Sequence, residues 1–212
     1  MNGERGLRLR LATAARRLSA AGMNPGRSGN FSVRLEGGMI ITPSGAAYET
    51  LHPDDMVYID EQRGHGGGQG KPSTEWRLHR DIYVRFGEAR AVAHTHSPYA
   101  TTLACLGRDI PSFHYEVAFA GGADIRCAPY ATFGTQELSD HALAALEGRS
   151  ACLLANHGAV AWGESIEAAA GLAEKVEALA RLYWQALQVG EPHLLSEAEM
   201  QAVVARFGDY GR

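Results

Sequence analysis

Lysine is nearly absent from this chain: Lys71 and Lys175 are the only two among 212 residues. Neither lies in an apolar run that would activate its amine, so imine-forming catalysis has no candidate here. Cysteine is scarce too. Cys105, Cys127 and Cys152 are odd in number and widely spaced, which argues against a disulfide framework and fits a reducing compartment. They read as small apolar packing residues. No apolar run approaches the roughly eighteen residues of a membrane span, and the N-terminal MNGERGLRLR lacks the apolar centre of a signal peptide. A cytoplasmic protein is therefore expected, with no membrane partner. Positive charge is outweighed, 20 Lys and Arg against 24 Asp and Glu, and a net charge of −4 offers no basic face to nucleic acid. Nucleotide-binding glycine patterns are missing as well. Gly64–Gly70 has neither G-x-G-x-x-G nor G-K-[ST] order and reads as a surface linker.

What is present suits one folded domain over residues 1–212. With 45% hydrophobic residues, a chain of this length buries a core without staples. Helical spacing of Leu7, Leu11, Ala14, Ala15 and Leu18 predicts an opening helix over Leu7–Ala21, stopped by Gly22. Phe31–Leu35 and Met39–Thr42, across Glu36-Gly37-Gly38, read as a hairpin. Met56–Asp60, Ala91–His96, Ile125–Tyr130 and Ala151–Leu154 read as strands. Ala159–Trp162 either prolongs the last of these or returns beside it. Helices are predicted over Thr74–Phe86 with Ser73 as N-cap, Pro98–Leu106, Thr135–Leu146, Ser165–Val189 with Ser165 as cap, and Glu197–Phe207. The alternation implies a sheet covered by helices, and the early hairpin makes the sheet mixed rather than wholly parallel.

Three histidines and a glutamate carry most of the chemistry. In Ala93-His94-Thr95-His96 the period-two alternation of a strand turns both imidazoles to one face. A third, His157, also follows an apolar strand and precedes a glycine that permits close backbone approach. Three imidazoles with an open position suit catalytic zinc, although copper, iron and nickel accept the same donors. Glu75, at the start of a predicted helix where the dipole favours a carboxylate, is a candidate fourth ligand, general base, or both in turn. His79, four residues on, shares its helix face and is a candidate supporting partner. Inert strand-end histidines and an ordinary first-turn acid are the plainer alternatives.

Ser28-Gly29-Asn30, Thr42-Pro43-Ser44-Gly45 and Pro72-Ser73-Thr74 each join a hydroxyl or amide to a turn or helix start, where backbone N–H groups can face an anion. Singly these are common turns. Together, with Ser73 and Thr74 adjoining Glu75, they suit a small monophosphate better than a nucleotide.

The series SGNFSVR, ITPSG, KPSTEWRLH, VAHTHSPYAT, HYEVAFAGG, CAPYATFGTQELSDH and ANHGAVAWG resembles the class II aldolase/adducin family in order and spacing over nearly the whole chain, nearest to its fuculose-phosphate aldolase branch. The resemblance implies a three-layer α/β/α sandwich around a mixed sheet, and a homotetramer with active sites at subunit interfaces. By position it makes His94, His96 and His157 ligands of one Zn2+ per subunit, or another divalent transition metal, with Glu75 as acid/base and resting ligand. It places Asn30, Ser44, Gly45, Ser73 and Thr74 at phosphate, and assigns Tyr115 to a neighbouring subunit's site, where it serves the aldehyde oxygen. Phe133 and Tyr210 fall on the aldehyde side. Ser44, Thr74, Thr95 and Asn156 depart from the nearest branch, the hydroxyls being kept at the phosphate positions. The implied reaction is reversible cleavage of L-fuculose 1-phosphate, or a related deoxyketose 1-phosphate, to dihydroxyacetone phosphate and an aldehyde such as L-lactaldehyde. The alternatives within the family are a methylthioribulose-1-phosphate dehydratase and a pentulose-phosphate 4-epimerase, against which Tyr115 and Glu75 respectively argue. A non-catalytic, adducin-like interaction domain is a further alternative, disfavoured by the retained histidines.

Overall fold

Side-chain alternation on seven strands sets the layers of this molecule, whose computed structural model describes residues 3–65 and 70–209. The strands are β1 (Asn30–Leu35), β2 (Gly38–Ile41), β3 (Val57–Asp60), β4 (Ala91–Thr95), β5 (Cys127–Ala128), β6 (Ala151–Leu154) and β7 (Gly158–Gly163), and they join one sheet in the order β3-β2-β1-β4-β7-β6-β5. Neighbours are antiparallel except β5 and β6, which are parallel. Among the described residues, α1 (Glu4–Ala20), α2 (Trp76–Arg85), α3 (Pro98–Cys105), α4 (Gln136–Ala145) and α5 (Ile166–Val189) cover the sheet, and α6 (Glu197–Asp209) packs on the Tyr115–Ala120 segment.

Phe31, Val33, Ala91, Ala93, Leu153 and Ala161 face one way, into a core closed by Leu11 and Leu18 of α1, Leu103 of α3 and Val176 and Leu179 of α5. Met39, Ile41, Val92, Cys152, Leu154 and Val160 face the other way, against Leu78 and Ile82 of α2 and Leu138 and Ala142 of α4. Both faces being apolar, each must be covered, and the result is the expected α/β/α sandwich around a mixed sheet. No helix among the described residues is long and apolar enough to cross a membrane.

Several local expectations change. The strand predicted over Ile125–Tyr130 shrinks to Cys127–Ala128. The Cys127 N–H donates instead to the Asp109 carboxylate at 2.6 Å, Ile125 pairs with Ile110 in an isolated bridge, and Pro129 has no N–H to continue a ladder. Ala159–Trp162 lies in β7, which returns beside β6 as its hairpin partner. Tyr115–Ala120 forms a 3-10 segment that apolar periodicity did not announce. The helix expected from Thr74 begins at Trp76, with Glu75 rather than Ser73 in the N-cap position. Ser165 does cap α5, its hydroxyl accepting from the Ala168 N–H at 3.2 Å.

Candidate metal centre and substrate pocket

Val92 of β4 faces the α2 layer, so His94, two residues on, faces it too and is fully buried. His96 follows the strand and brings its Nε2 to 3.0 Å from that of His94. The next residues start α3, and Ser97 supplies no side-chain cap there. Glu177 of α5 does, its carboxylate accepting from the Tyr99 and Ala100 N–H groups at 2.9 and 2.8 Å. Nothing in the sequence pairs Glu177 with that helix end, which lies 77 residues earlier.

His157 arrives from the turn between β6 and β7. Asn156 takes a left-handed conformation there (φ 55°), and its N–H donates to the Ala104 carbonyl at 3.1 Å. Gly158 is required by space, because a Cβ there would stand 2.3 Å from the Thr95 carbonyl oxygen. The close approach expected of that glycine is thus present, and it seats β7 against the end of β4. The three imidazoles pack edge to face, with centroids 4.7, 4.8 and 4.9 Å apart.

Glu75 completes the cluster from the α2 N-terminus. Its Oε2 lies 3.2 Å from His94 Nε2 and its Oε1 3.4 Å from His157 Nε2. Burial would raise this carboxyl, but the facing His94 and His157 rings and the Asn30 amide outweigh it and hold it well below the usual carboxylate range. Burial would lower His94, yet the adjoining Glu75 carboxylate raises it on balance. Burial, reinforced by His94, takes His96 down to about 3 and His157 to about 4. Those two rings are therefore neutral at ordinary pH, the form that ligates metals.

The donor set fits a divalent cation. Three imidazoles and one carboxylate bring ligand atoms within 4.8 Å of one another. His94 Nδ1 lies 3.0 Å from the Ala159 carbonyl, which can only accept, so the hydrogen of a neutral His94 sits on Nδ1 and the Nε2 lone pair points inward. That lone pair faces His96 Nε2 at 3.0 Å, so both ring nitrogens are turned to the point where a cation would be held. Glu75 Oε1 is buried with no hydrogen-bond partner among the described residues, an acceptor left over for the same centre.

A cavity of about 320 Å³ opens onto Glu75, His96 and His157. Its wall includes Asn30, Ser44, Gly45, Ser73, Thr74 and Phe133, so all the described residues expected at phosphate, and one of the two expected at aldehyde, meet in one place. A bridge between Pro43 and Pro72 sets the two hydroxyl-bearing turns side by side. Asn30 is largely engaged elsewhere, one amide hydrogen going to Glu75 Oε2 at 2.9 Å and its carbonyl to His79 Nε2 at 2.6 Å. Arg27 and Tyr130 also line the cavity. Sequence reasoning passed over both, although an arginine directly before Ser28-Gly29-Asn30 was an available signal. Tyr115 does not line the cavity. Its ring is about half exposed, beside His114 and 6.3 Å from Phe207. Tyr210 lies outside the described residues.

The chain is similar to known proteins over nearly its whole length. Residues 9–184 match the family model described as Class II Aldolase and Adducin N-terminal domain. A 5-methylthioribulose-1-phosphate/5-deoxyribulose-1-phosphate aldolase of Rhodospirillum rubrum is 54% identical over 205 residues, 97% of this chain and 92% of the relative. The L-fuculose phosphate aldolase of Escherichia coli K12 is 45% identical over 92% of this chain and 90% of its own. A solved L-fuculose 1-phosphate aldolase superposes with a TM-score of 0.91 at 37% identity, covering 96% of each chain. The chain belongs to the class II aldolase and adducin N-terminal domain family and is one of its enzymes, an aldolase.

Proposed function

We propose that the chain reversibly cleaves the C3–C4 bond of a deoxyketose 1-phosphate, giving dihydroxyacetone phosphate and a short aldehyde. One observation carries the reading: His96 and His157 of the imidazole cluster, the Glu75 carboxylate and the hydroxyl-bearing turns open onto the same cavity. The Ser44, Ser73 and Thr74 hydroxyls, with the Arg27 guanidinium at the wall, hold the phosphate and so fix C1. A divalent cation, zinc by donor type, would be held by His94, His96 and His157 with Glu75 as a resting fourth donor, and would supply Lewis acidity to the ketone half. Glu75 delivers a proton to C3 in cleavage and removes it in condensation. Tyr115, outside its own chain's cavity, takes the C4 hydroxyl proton in a neighbouring copy and returns it in condensation. That role supports a homotetramer with sites between subunits.

The aldehyde end sets the substrate. Tyr130 and Phe133, both mostly exposed aromatics on the wall, offer apolar surface to a methyl or methylthio end. The 54% relative is named for 5-methylthioribulose and 5-deoxyribulose 1-phosphates, so these rank first. L-fuculose 1-phosphate, named in the 45% relatives, ranks second. The test is triose phosphate release from all three by the metal-loaded protein, before and after chelation. Release that chelation abolishes is expected, fastest with a 5-deoxypentulose phosphate. No triose phosphate from any of them would overturn the reading, because neither dehydration nor epimerisation releases it.

A further inference from the structure

A second set of polar side chains is buried between β1 and α2, behind the cluster. Tyr83 Oη lies 2.6 Å from Ser32 Oγ, Ser32 Oγ 2.7 Å from His79 Nδ1, His79 Nε2 2.6 Å from Asn30 Oδ1, and Asn30 Nδ2 2.9 Å from Glu75 Oε2. All five residues are buried, none more than 6% exposed. The placement follows from two periodicities. Asn30 and Ser32 are alternate residues of β1, while Glu75, His79 and Tyr83 recur every four residues at and along α2. The apolar residues around them (Met39, Ile41, Leu78, Ile82) make this an expensive place for polar groups unless each is paired.

Donor roles follow one from another. The Glu75 carboxylate can only accept, so Asn30 presents its NH2 to Glu75 and its carbonyl to His79. The carbonyl accepts, so His79 Nε2 carries the hydrogen. The ring has no carboxylate of its own and is fully buried, which keeps it neutral and leaves Nδ1 an acceptor. Ser32 therefore donates to Nδ1, and its oxygen accepts from Tyr83. Every hydrogen in the row points towards Glu75.

We propose that Tyr83, Ser32, His79 and Asn30 form a one-way hydrogen-bond chain that fixes the Glu75 carboxylate by Oε2 and keeps Oε1 turned to His157 Nε2, 3.4 Å away at the cavity wall, making His79, Ser32 and Tyr83 positioning residues for the proton transfer at C3. It rests on the aldolase reading for the identity of that transfer. A carboxylate that swivelled would meet the C3 proton in the wrong line, and misplacement on the order of 1 Å costs about a hundredfold in rate.

The test uses the metal-loaded protein and dihydroxyacetone phosphate, with deuterium uptake from solvent at C3 read by NMR. His79→Leu severs the chain, whereas His79→Gln keeps one donor and one acceptor. His79→Leu is expected to slow exchange about tenfold or more with metal content and the KM for dihydroxyacetone phosphate unchanged, and His79→Gln to recover most of the loss. Equal rates in wild type and His79→Leu, or a loss that appears only in KM, would overturn the chain while leaving the aldolase reading intact. No exchange in the wild type would overturn both. A measurement on the unaltered protein keeps the proposal falsifiable even if His79→Leu does not fold. Nitrogen-15 spectra of the histidine rings should show His79 with its hydrogen on Nε2, and a hydrogen on Nδ1 would overturn the proposed direction.

Discussion

The buried groups of the site divide by protonation state, and single-residue changes separate their roles. Glu75→Gln keeps the size and one acceptor while removing the base. It should retain bound metal through His94, His96 and His157 but lose C3 deuterium exchange by about a hundredfold or more, with metal measured by atomic emission. Retained exchange would remove Glu75 as the base. His79 makes a separate prediction about stability. Burial lowers its ring from 6.5 to about 3, so between those values the unfolded chain binds a proton that the folded chain refuses. Stability from this residue is fully present above pH 6.5 and falls as pH drops through that window. His79→Gln should flatten the dependence of unfolding free energy on pH there, by at most about 1.4 kcal/mol per pH unit, measured by urea titration at several pH values. An unchanged slope would mean that the ring protonates in the fold.

At the scale of elements, two contacts decide where the clustered imidazoles sit. The Gly158→Ala methyl would clash with the Thr95 carbonyl, a backbone group that cannot swing aside, and would press on the His96 ring. A cost of about 2 kcal/mol is expected, together with lower metal content because His157 moves with its strand. Metal content at the wild-type level would show that the turn adapts. Glu177→Ala removes the borrowed cap of α3, leaving two N–H groups without acceptors. It should cost about 1 kcal/mol, read by urea denaturation, and a smaller cost would mean that water replaces the carboxylate. Element type was legible wherever an apolar period ran long enough, as in α1, α5 and β4. At Ile125–Tyr130 the type held but the extent did not, because the backbone had a side-chain acceptor available in Asp109, and Tyr115–Ala120 was missed, six residues being too few to display a period.

On the scale of the whole molecule, the distance between Tyr115 and its own chain's cavity gives the strongest test of assembly. If a neighbouring copy supplies Tyr115, Glu75→Gln and Tyr115→Phe are defects in different halves of each shared site. Co-expressed hybrids should then regain turnover of the ketose phosphate beyond either parent. Verified hybrids with no regained activity would confine the site to one chain. Tyr115→Phe alone should weaken ketose cleavage more than C3 exchange in dihydroxyacetone phosphate, since only cleavage involves the C4 oxygen.

By itself the sequence determined the covered sheet and the identity of the donors. Period-two and period-3.6 apolar patterns are local, and H-x-H on a strand already commits two rings to one side. Tertiary structure alone decided which groups meet. His157 reaches the other rings through a glycine packed on a distant carbonyl, and Asn30 turns its amide to Glu75 and His79. Glu177 closes a helix from another element. Each depends on residues far apart in the chain brought within hydrogen-bonding or van der Waals distance, and no local pattern records such a meeting.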